Sequence, residues 1–390
     1  MSHNSSEITG LVGTNTGGQV EYWFEYGTTT AYGAETQHET GTVEPSALLN
    51  VGATLEGLAR STIYHYRLCA QDSSQQGGPG CGEDRTVRTQ SFACGETVTA
   101  NVRFTGSVWC QDLPVGADGL VIGASGIEID LHGFSLHGPD AAGGSAIDNS
   151  GGFDDVTIRG IDNVGMYSGS TLDGGVHLEN ATGNRILYVR TSVDVGGGAG
   201  NEIRHSWIHG GGLRAQNTTG LVVADNVGGF GPMELSGLLD SRIVRNSMHP
   251  PSWWFCCERA IRVAGNRNVI KDNSLSGWAG GLVLLSGADN KLLDNEVFAS
   301  HLPDPSGTDS DGDGIFVGAF TAGTIVRGNL THDNEGDGIE VQGAETRIGD
   351  NVANDNGDFG IDAVAGVTDL GGNTATGNGN PLQCRNVFCE

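Results

Sequence analysis

Seven asparagines recur at the ends of short apolar segments: Asn226, Asn246, Asn273, Asn295, Asn329, Asn351 and Asn373, spaced 20, 27, 22, 34, 22 and 22 residues apart. Three residues before each stands an apolar side chain: Val223, Ile243, Ile270, Leu292, Val326, Ile348 and Leu370. Ile203 and Ser206 carry the same offset further toward the N-terminus. A unit of about 22 residues cannot bury its own apolar face, so it must stack on copies of itself. The pattern predicts a three-sided parallel solenoid in which each Asn stacks on the next and satisfies amide groups at a turn. Composition agrees: Gly is 65 of 390 residues without a Gly-X-Y period, which excludes collagen, and Pro is only 10. The fold class expected is all-β.

A second strand runs through each coil. It reads Val176-His177-Leu178, Val193-Asp194-Val195, Leu213-Arg214-Ala215, Met233-Glu234-Leu235 and Ile261-Arg262-Val263. It continues as Leu282-Val283-Leu284, Ile315-Phe316-Val317, Ile339-Glu340-Val341 and Ile361-Asp362-Ala363. The outer members are apolar and face inward, and the two-residue strand period sends the middle one outward. The outward stripe is then His177, Asp194, Arg214, Glu234, Arg262, Val283, Phe316, Glu340 and Asp362, with neighbours about 4.8 Å apart. Alternating charge along it reads either as a cross-strand ion-pair ladder or as a functional charged groove.

Two coils are long, and both grow at the same corner. After Asn246 comes SMHPPSWWFCCERA, and after Asn295 comes EVFASHLPDPSGTDSDGDG. Long loops on a regular scaffold are where function concentrates. A cleft is expected between them, over the Arg262 and Val283 strands. Trp253 and Trp254 offer faces for sugar rings, with Arg259 and His301 nearby, or they fold over as a plug. Cys256 and Cys257 form a vicinal disulfide or remain thiols, and pairing with distant cysteines is disfavoured because the other six have local partners. Asp309, Asp311 and Asp313 have the spacing of the first half of a Ca²⁺ loop. Phe320 stands where the closing Glu of a full loop belongs, so a partial Ca²⁺ site or a plain Asp-Gly turn remains.

Residues 1–90 read as a separate β module, with alternating segments such as Val20–Tyr26 and Thr62–Leu68. Its TLEGLARSTIYHYRLCAQD segment resembles fibronectin type III domains, where a Leu, a Thr and a Tyr build the tyrosine corner. Leu58, Thr62 and Tyr64 take those places, and Arg60 stands where that family usually has Pro. Cys69 and Cys81 would staple its last hairpin. Residues 91–390 open with CGETVTANVRFTGSVWC and close with GNGNPLQCRNVFCE. These stretches are similar to the caps of secreted right-handed parallel β-helix proteins with the pectate-lyase-like repeat. The resemblance implies that Cys94–Cys110 and Cys384–Cys389 close the caps.

Eight cysteines in mostly local pairs point to an oxidising, secreted or cell-surface location. The opening MSHNSSEITG has no signal-peptide pattern, and an export signal is expected upstream. No apolar run is long enough to cross a membrane. A net charge of −27 argues against nucleic-acid partners. The resemblance implies a polysaccharide or cell-surface glycan as partner, with three function classes. In a lyase or C5-epimerase on a uronic-acid polymer, Arg214 and Arg262, with Ca²⁺, neutralise the carboxylate. His177, His249, His301 or Lys271 takes the α-proton, and Asp194 and Glu234 flank the site. In a glycoside hydrolase, Glu340 with Asp362, or Asp194 with Glu234, forms the carboxylate pair. In a non-catalytic binding, adhesive or surface-structural solenoid, the stripe is ordinary surface. The short motifs of pectate lyases, alginate epimerases and polygalacturonases are absent, and the first class is preferred because paired Arg suits it.

Overall fold

The computed structural model describes residues 4–72, 78–111, 113–139, 143–162, 169–229, 231–250, 259–301 and 312–390. The chain divides into two units, Met1–Glu96 with Arg103–Val108, and Thr97–Val102 with Trp109–Glu390. In the first, strand Ser6–Gly13 pairs antiparallel with Leu48–Leu55. A second sheet centres on Gly18–Gly27, which pairs with Ala34–Glu35, Glu39–Val43 and Ile63–Asp72. Ile63–Asp72 in turn holds Gly80–Cys81 and Arg85–Arg88, and Cys69 is bonded to Cys81 across that pairing. Inward alternation gives a core of Ile8, Phe24, Val51, Leu55, Leu58 and Val87.

The second unit is a long parallel β-helix, as the repeat requires. Each regular coil contributes three short strands, for example Arg242–Val244, Ser247–Met248 and Arg259–Asn266. Corresponding strands of successive coils pair in parallel. The inward column Val193, Leu213, Met233, Ile261, Leu282, Ile315, Ile339 and Ile361 runs in register. Every member is buried. At roughly 1.5–3 kcal/mol per buried aliphatic side chain, this column is a main source of stability.

The asparagine ladder is continuous from Asn226 to Asn373. Within the ladder each amide oxygen accepts from the backbone N–H and the side-chain amide of the Asn one coil before it, and each amide also donates to a main-chain carbonyl; at its ends Asn226 accepts from the Ser206 N–H and Asn373 donates to the Asp369 carboxylate. Every group is thus paired without water. Two further ladders stand at other corners. One runs Ser300, Asn334, Asn356, Asn378. The other includes Ser241, Asn268 and Asn290. Leu370 departs from the expected inward position: a register shift between Ile348 and Gly349 leaves it 40% exposed.

Cys384–Cys389 is bonded, and Cys94 and Cys110 are also disulfide-bonded, which indicates an oxidising, extracytoplasmic environment. Cys256 and Cys257 lie outside the described residues. Among the described residues no helix is long and apolar enough to cross a membrane.

Candidate functional site

The middle residues of the triplets align as one stripe. Asp148 pairs with His177, then Asp194, Arg214, Glu234 and Arg262 follow on successive coils. Val283, Phe316, Glu340, Asp362 and Arg385 complete it. The stripe is not uniformly exposed. Val283 is 2% and Phe316 9% exposed, so an apolar stretch separates two charged segments.

The first charged segment floors a cleft of about 490 Å³ lined by His177, Asp194 and Arg214, with Asp118 and Asp148 at one end. Glycines make the space. Gly143-Gly144 line the cleft just before one of its strands, and Gly174-Gly175 and Gly211-Gly212 lie at irregularities within two others, where side chains would otherwise fill it. Gly212 has a φ of +76°, and a Cβ there would run into the Pro232 carbonyl oxygen. Close stacking of this turn therefore requires glycine.

His177, Asp194 and Arg214 sit on consecutive coils, yet none of their side chains makes a hydrogen bond or ion pair with another described residue. An ion-pair ladder would have joined Asp194 to Arg214. The pair that forms instead is Arg262 with Glu234, at 3.3 Å and half exposed. Asp148 is held by Ser150, whose hydroxyl donates to it at 2.7 Å.

The other candidate bases lie elsewhere. Lys271 is on strand Val269–Lys271 of the other long sheet and pairs with Asp294 at 3.2 Å. Strand geometry thus separates it from Arg214 and Arg262. His249 bonds the Ser276 hydroxyl at 2.6 Å, and burial holds its imidazole below the usual pKa. His301 donates its backbone N–H to Trp278, and its Nε2 is buried without a partner. Arg259 opens the strand that also carries Arg262. Trp253, Trp254, Asp309 and Asp311 lie outside the described residues, as does most of the expected corner between the two insertions.

Beside the cleft, Arg190 donates to His209 Nε2 at 2.8 Å. Burial, and then the Arg190 charge, lower the His209 pKa. His137 stacks on Trp109 at 3.7 Å between ring centres and bonds Asp173 at 2.6 Å. The sequence reading passed over this flank because its polar residues fall outside the regular triplets.

The second charged segment is acidic. Carboxylate oxygens of Asp313, Asp337 and Glu340 lie within 4.8 Å of one another. Asp313 accepts the Asp337 N–H at 2.8 Å, and Asp337 accepts the Phe359 N–H at 2.8 Å. Burial, and then the neighbouring Asp337 and Glu340 carboxylates, push Asp313 up to about 9. Burial, and then the Asp362, Asp358 and Glu340 carboxylates, lift Asp337 to about 7. Asp362 is 9% exposed and gripped by the Arg385 guanidinium through two hydrogen bonds. That grip removes it from the Glu340–Asp362 pair that hydrolysis would need. Asp313 therefore meets Asp337 and Glu340 across the coil stack.

Residues 237–380 match the family described as right handed beta helix region. This gives the helix its hand. No curated protein matches the chain. Among solved structures, the Dettilon tailspike protein is 14% identical with a TM-score of 0.40, covering 75% of this chain and 60% of its own. The family 28 exopolygalacturonase of Yersinia enterocolitica is 11% identical with a TM-score of 0.40, covering 86% of this chain and 84% of its own. The catalytic domain of a family 87 α-1,3-glucanase, in complex with tetrasaccharides, is 11% identical with a TM-score of 0.40, covering 100% and 89%. Likenesses this distant leave the chemistry to be argued from the chain's own side chains.

Proposed function

We propose that this is a secreted or cell-surface protein acting on an acidic polysaccharide by β-elimination or C5 epimerisation, with the glycine-walled cleft as its site. The observation that carries this is the unpartnered trio His177, Asp194 and Arg214 on three consecutive coils. Side chains of complementary chemistry that face one cleft and are held by no neighbour are free to meet a ligand there. Arg214 would pair with a uronate carboxylate through its planar fork. Withdrawing charge from that carboxylate acidifies the neighbouring C5 proton. His177 stands two coils away, roughly 10 Å along the stack, so both side chains can converge on one sugar. It would take the proton. Breaking the C4–O glycosidic bond as the C4–C5 double bond forms, with the departing oxygen taking a proton from water, then completes elimination, and return of a proton to the opposite face of C5 completes epimerisation. Asp194 lies between them and would orient the imidazole. Arg262, held by Glu234, would meet the next sugar along the stripe. Ca²⁺ is proposed as a ligand of this chain, with Asp313 among the residues that hold it.

We read the N-terminal unit as fibronectin-type-III-like. Supporting this, the Tyr64 hydroxyl accepts the Ala59 N–H at 3.0 Å, the bond of a tyrosine corner, above the buried Leu58.

The test is incubation with acidic and neutral polysaccharides. Ultraviolet absorbance of unsaturated products, reducing ends and proton exchange at C5 are followed together. Elimination or exchange that disappears in Arg214→Ala and His177→Ala, with folding intact, is expected. Reducing ends without unsaturation would replace the reading with hydrolysis. Binding without turnover would replace it with a glycan-binding or adhesive role, which an ordered solenoid also suits.

A further inference from the structure

The acidic segment of the stripe lies outside the proposed cleft. Asp313 and Asp337 are each the Asp of an Asp-Gly step that leads into a strand, and Glu340 is the outward residue of Ile339–Val341. The cap alone does not call for this arrangement. Asp118 caps the Ser145 N–H in the same way at 2.7 Å, with a serine where the acidic segment has Asp337. Elsewhere in the helix, neutral Asn and Ser side chains accept backbone N–H groups of adjacent coils. Stacking one carboxylate directly on another, beside a third, costs electrostatic energy that a neutral cap would avoid.

A second observation points to a ligand. Asp313 is 6% exposed, and its Oδ2 is buried with no hydrogen-bond partner. Asp313 also makes no ion pair with any described residue. Arg385, the cation on this part of the stripe, is committed to Asp362. Three oxygens within 4.8 Å of one another suit one calcium-sized ion, because oxygens on opposite sides of Ca²⁺ stand roughly 4.6–5.2 Å apart. An all-carboxylate set selects a hard divalent cation over zinc or copper.

We propose that Asp313, Asp337 and Glu340 bind one Ca²⁺ ion, which clamps two successive coils of the helix. The site differs from the Asp309-Asp311-Asp313 run, because two of its three ligands come from the following coil. Water completes the coordination on the solvent side of Glu340. The ion offsets the repulsion of the three carboxylates and gives the orphaned Asp313 oxygen its partner.

The test is calorimetric titration of calcium chloride into the full chain after EDTA treatment and dialysis, with the thermal midpoint followed in parallel. One saturable site and a higher midpoint with Ca²⁺ are expected. Glu340→Gln, a half-buried surface change that preserves shape, should weaken binding at least tenfold and abolish the midpoint shift. Asp337→Asn, which keeps an acceptor for the Phe359 N–H, should do the same. Three results would overturn the proposal. One is no saturable uptake by the unmodified chain, the outcome if a proton is held among the carboxylates in place of the ion. Another is undiminished binding by a folded Glu340→Gln/Asp337→Asn double variant. The third is loss of binding in Asp309→Asn/Asp311→Asn with undiminished binding in Glu340→Gln.

Discussion

At the scale of single residues, the solenoid rests on buried amides that have no alternative partner. Asn329 accepts from Asn295 through both its N–H and its side chain, and donates to Leu292 and Asn351. Asn329→Leu keeps the number and branching of side-chain heavy atoms and orphans the Asn295 donors. It should cost about 3 kcal/mol in chemical denaturation, since each unsatisfied buried group costs roughly 1–3 kcal/mol. A change below a few tenths would mean that water enters the ladder. His209 carries a pH-dependent term. Its folded pKa is depressed, so the unfolded chain takes up a proton near pH 6.5 while the folded chain does not. Its contribution to stability is therefore complete above about 6.5 and is lost as pH falls below that value. His209→Gln keeps an acceptor for Arg190 and removes the titration. The variant's thermal midpoint should fall less between neutral and mildly acidic pH than that of the unmodified chain. Equal slopes would remove His209 as a source of acid lability.

At the scale of the element, the turn glycines before the outward triplets decide where the cleft lies. A Cβ at Gly211 would meet only Ser192, at 3.7 Å, whereas one at Gly212 would strike the Pro232 carbonyl. Gly211→Phe should therefore leave the thermal midpoint unchanged and block polysaccharide binding, while Gly212→Ala should lower the midpoint. Binding that survives Gly211→Phe would move the ligand away from this wall. The same elements show what was legible in the sequence. The triplets could be read because inward Ile, Leu and Val alternate with polar residues, so even the register of Asp194, Arg214 and Glu234 followed. The Asn column could be read because it is coupled to an apolar residue three positions earlier. The other two ladders were also present, as Asn five residues apart in Asn268/Asn273, Asn290/Asn295 and Asn351/Asn356, and that short spacing went unread. The cleft was expected at the insertions, where residues are added. Among the described residues it lies where side chains are missing, before His177 and Arg214, and pattern reading gives little weight to an absent side chain. The partners of Asp313 were sought within its own loop. Burial and coil stacking instead bring in Asp337 and Glu340 from 24 and 27 positions further along the chain.

At the scale of the whole molecule, the proposed substrate and the protein carry charge of the same sign. The chain has a formal net charge of −27, so a polyuronate approaches against the far field and is held only by the near field of Arg214 and Arg262. These two fields respond differently to salt. The Debye length falls from about 30 Å at 0.01 M to about 10 Å at 0.1 M, which removes long-range repulsion before it weakens a contact at hydrogen-bond distance. The rate on an acidic polymer at low substrate concentration should therefore rise over this range of ionic strength. Binding of a neutral polysaccharide should stay flat, because neither field acts on it. In Arg214→Ala the rise should persist on a much lower baseline, since repulsion belongs to the whole surface and attraction to one side chain. A rate that falls with salt from the outset would mean that the cleft's own field outweighs that of the surrounding surface. The acidity of the chain would then place no constraint on its choice of polymer.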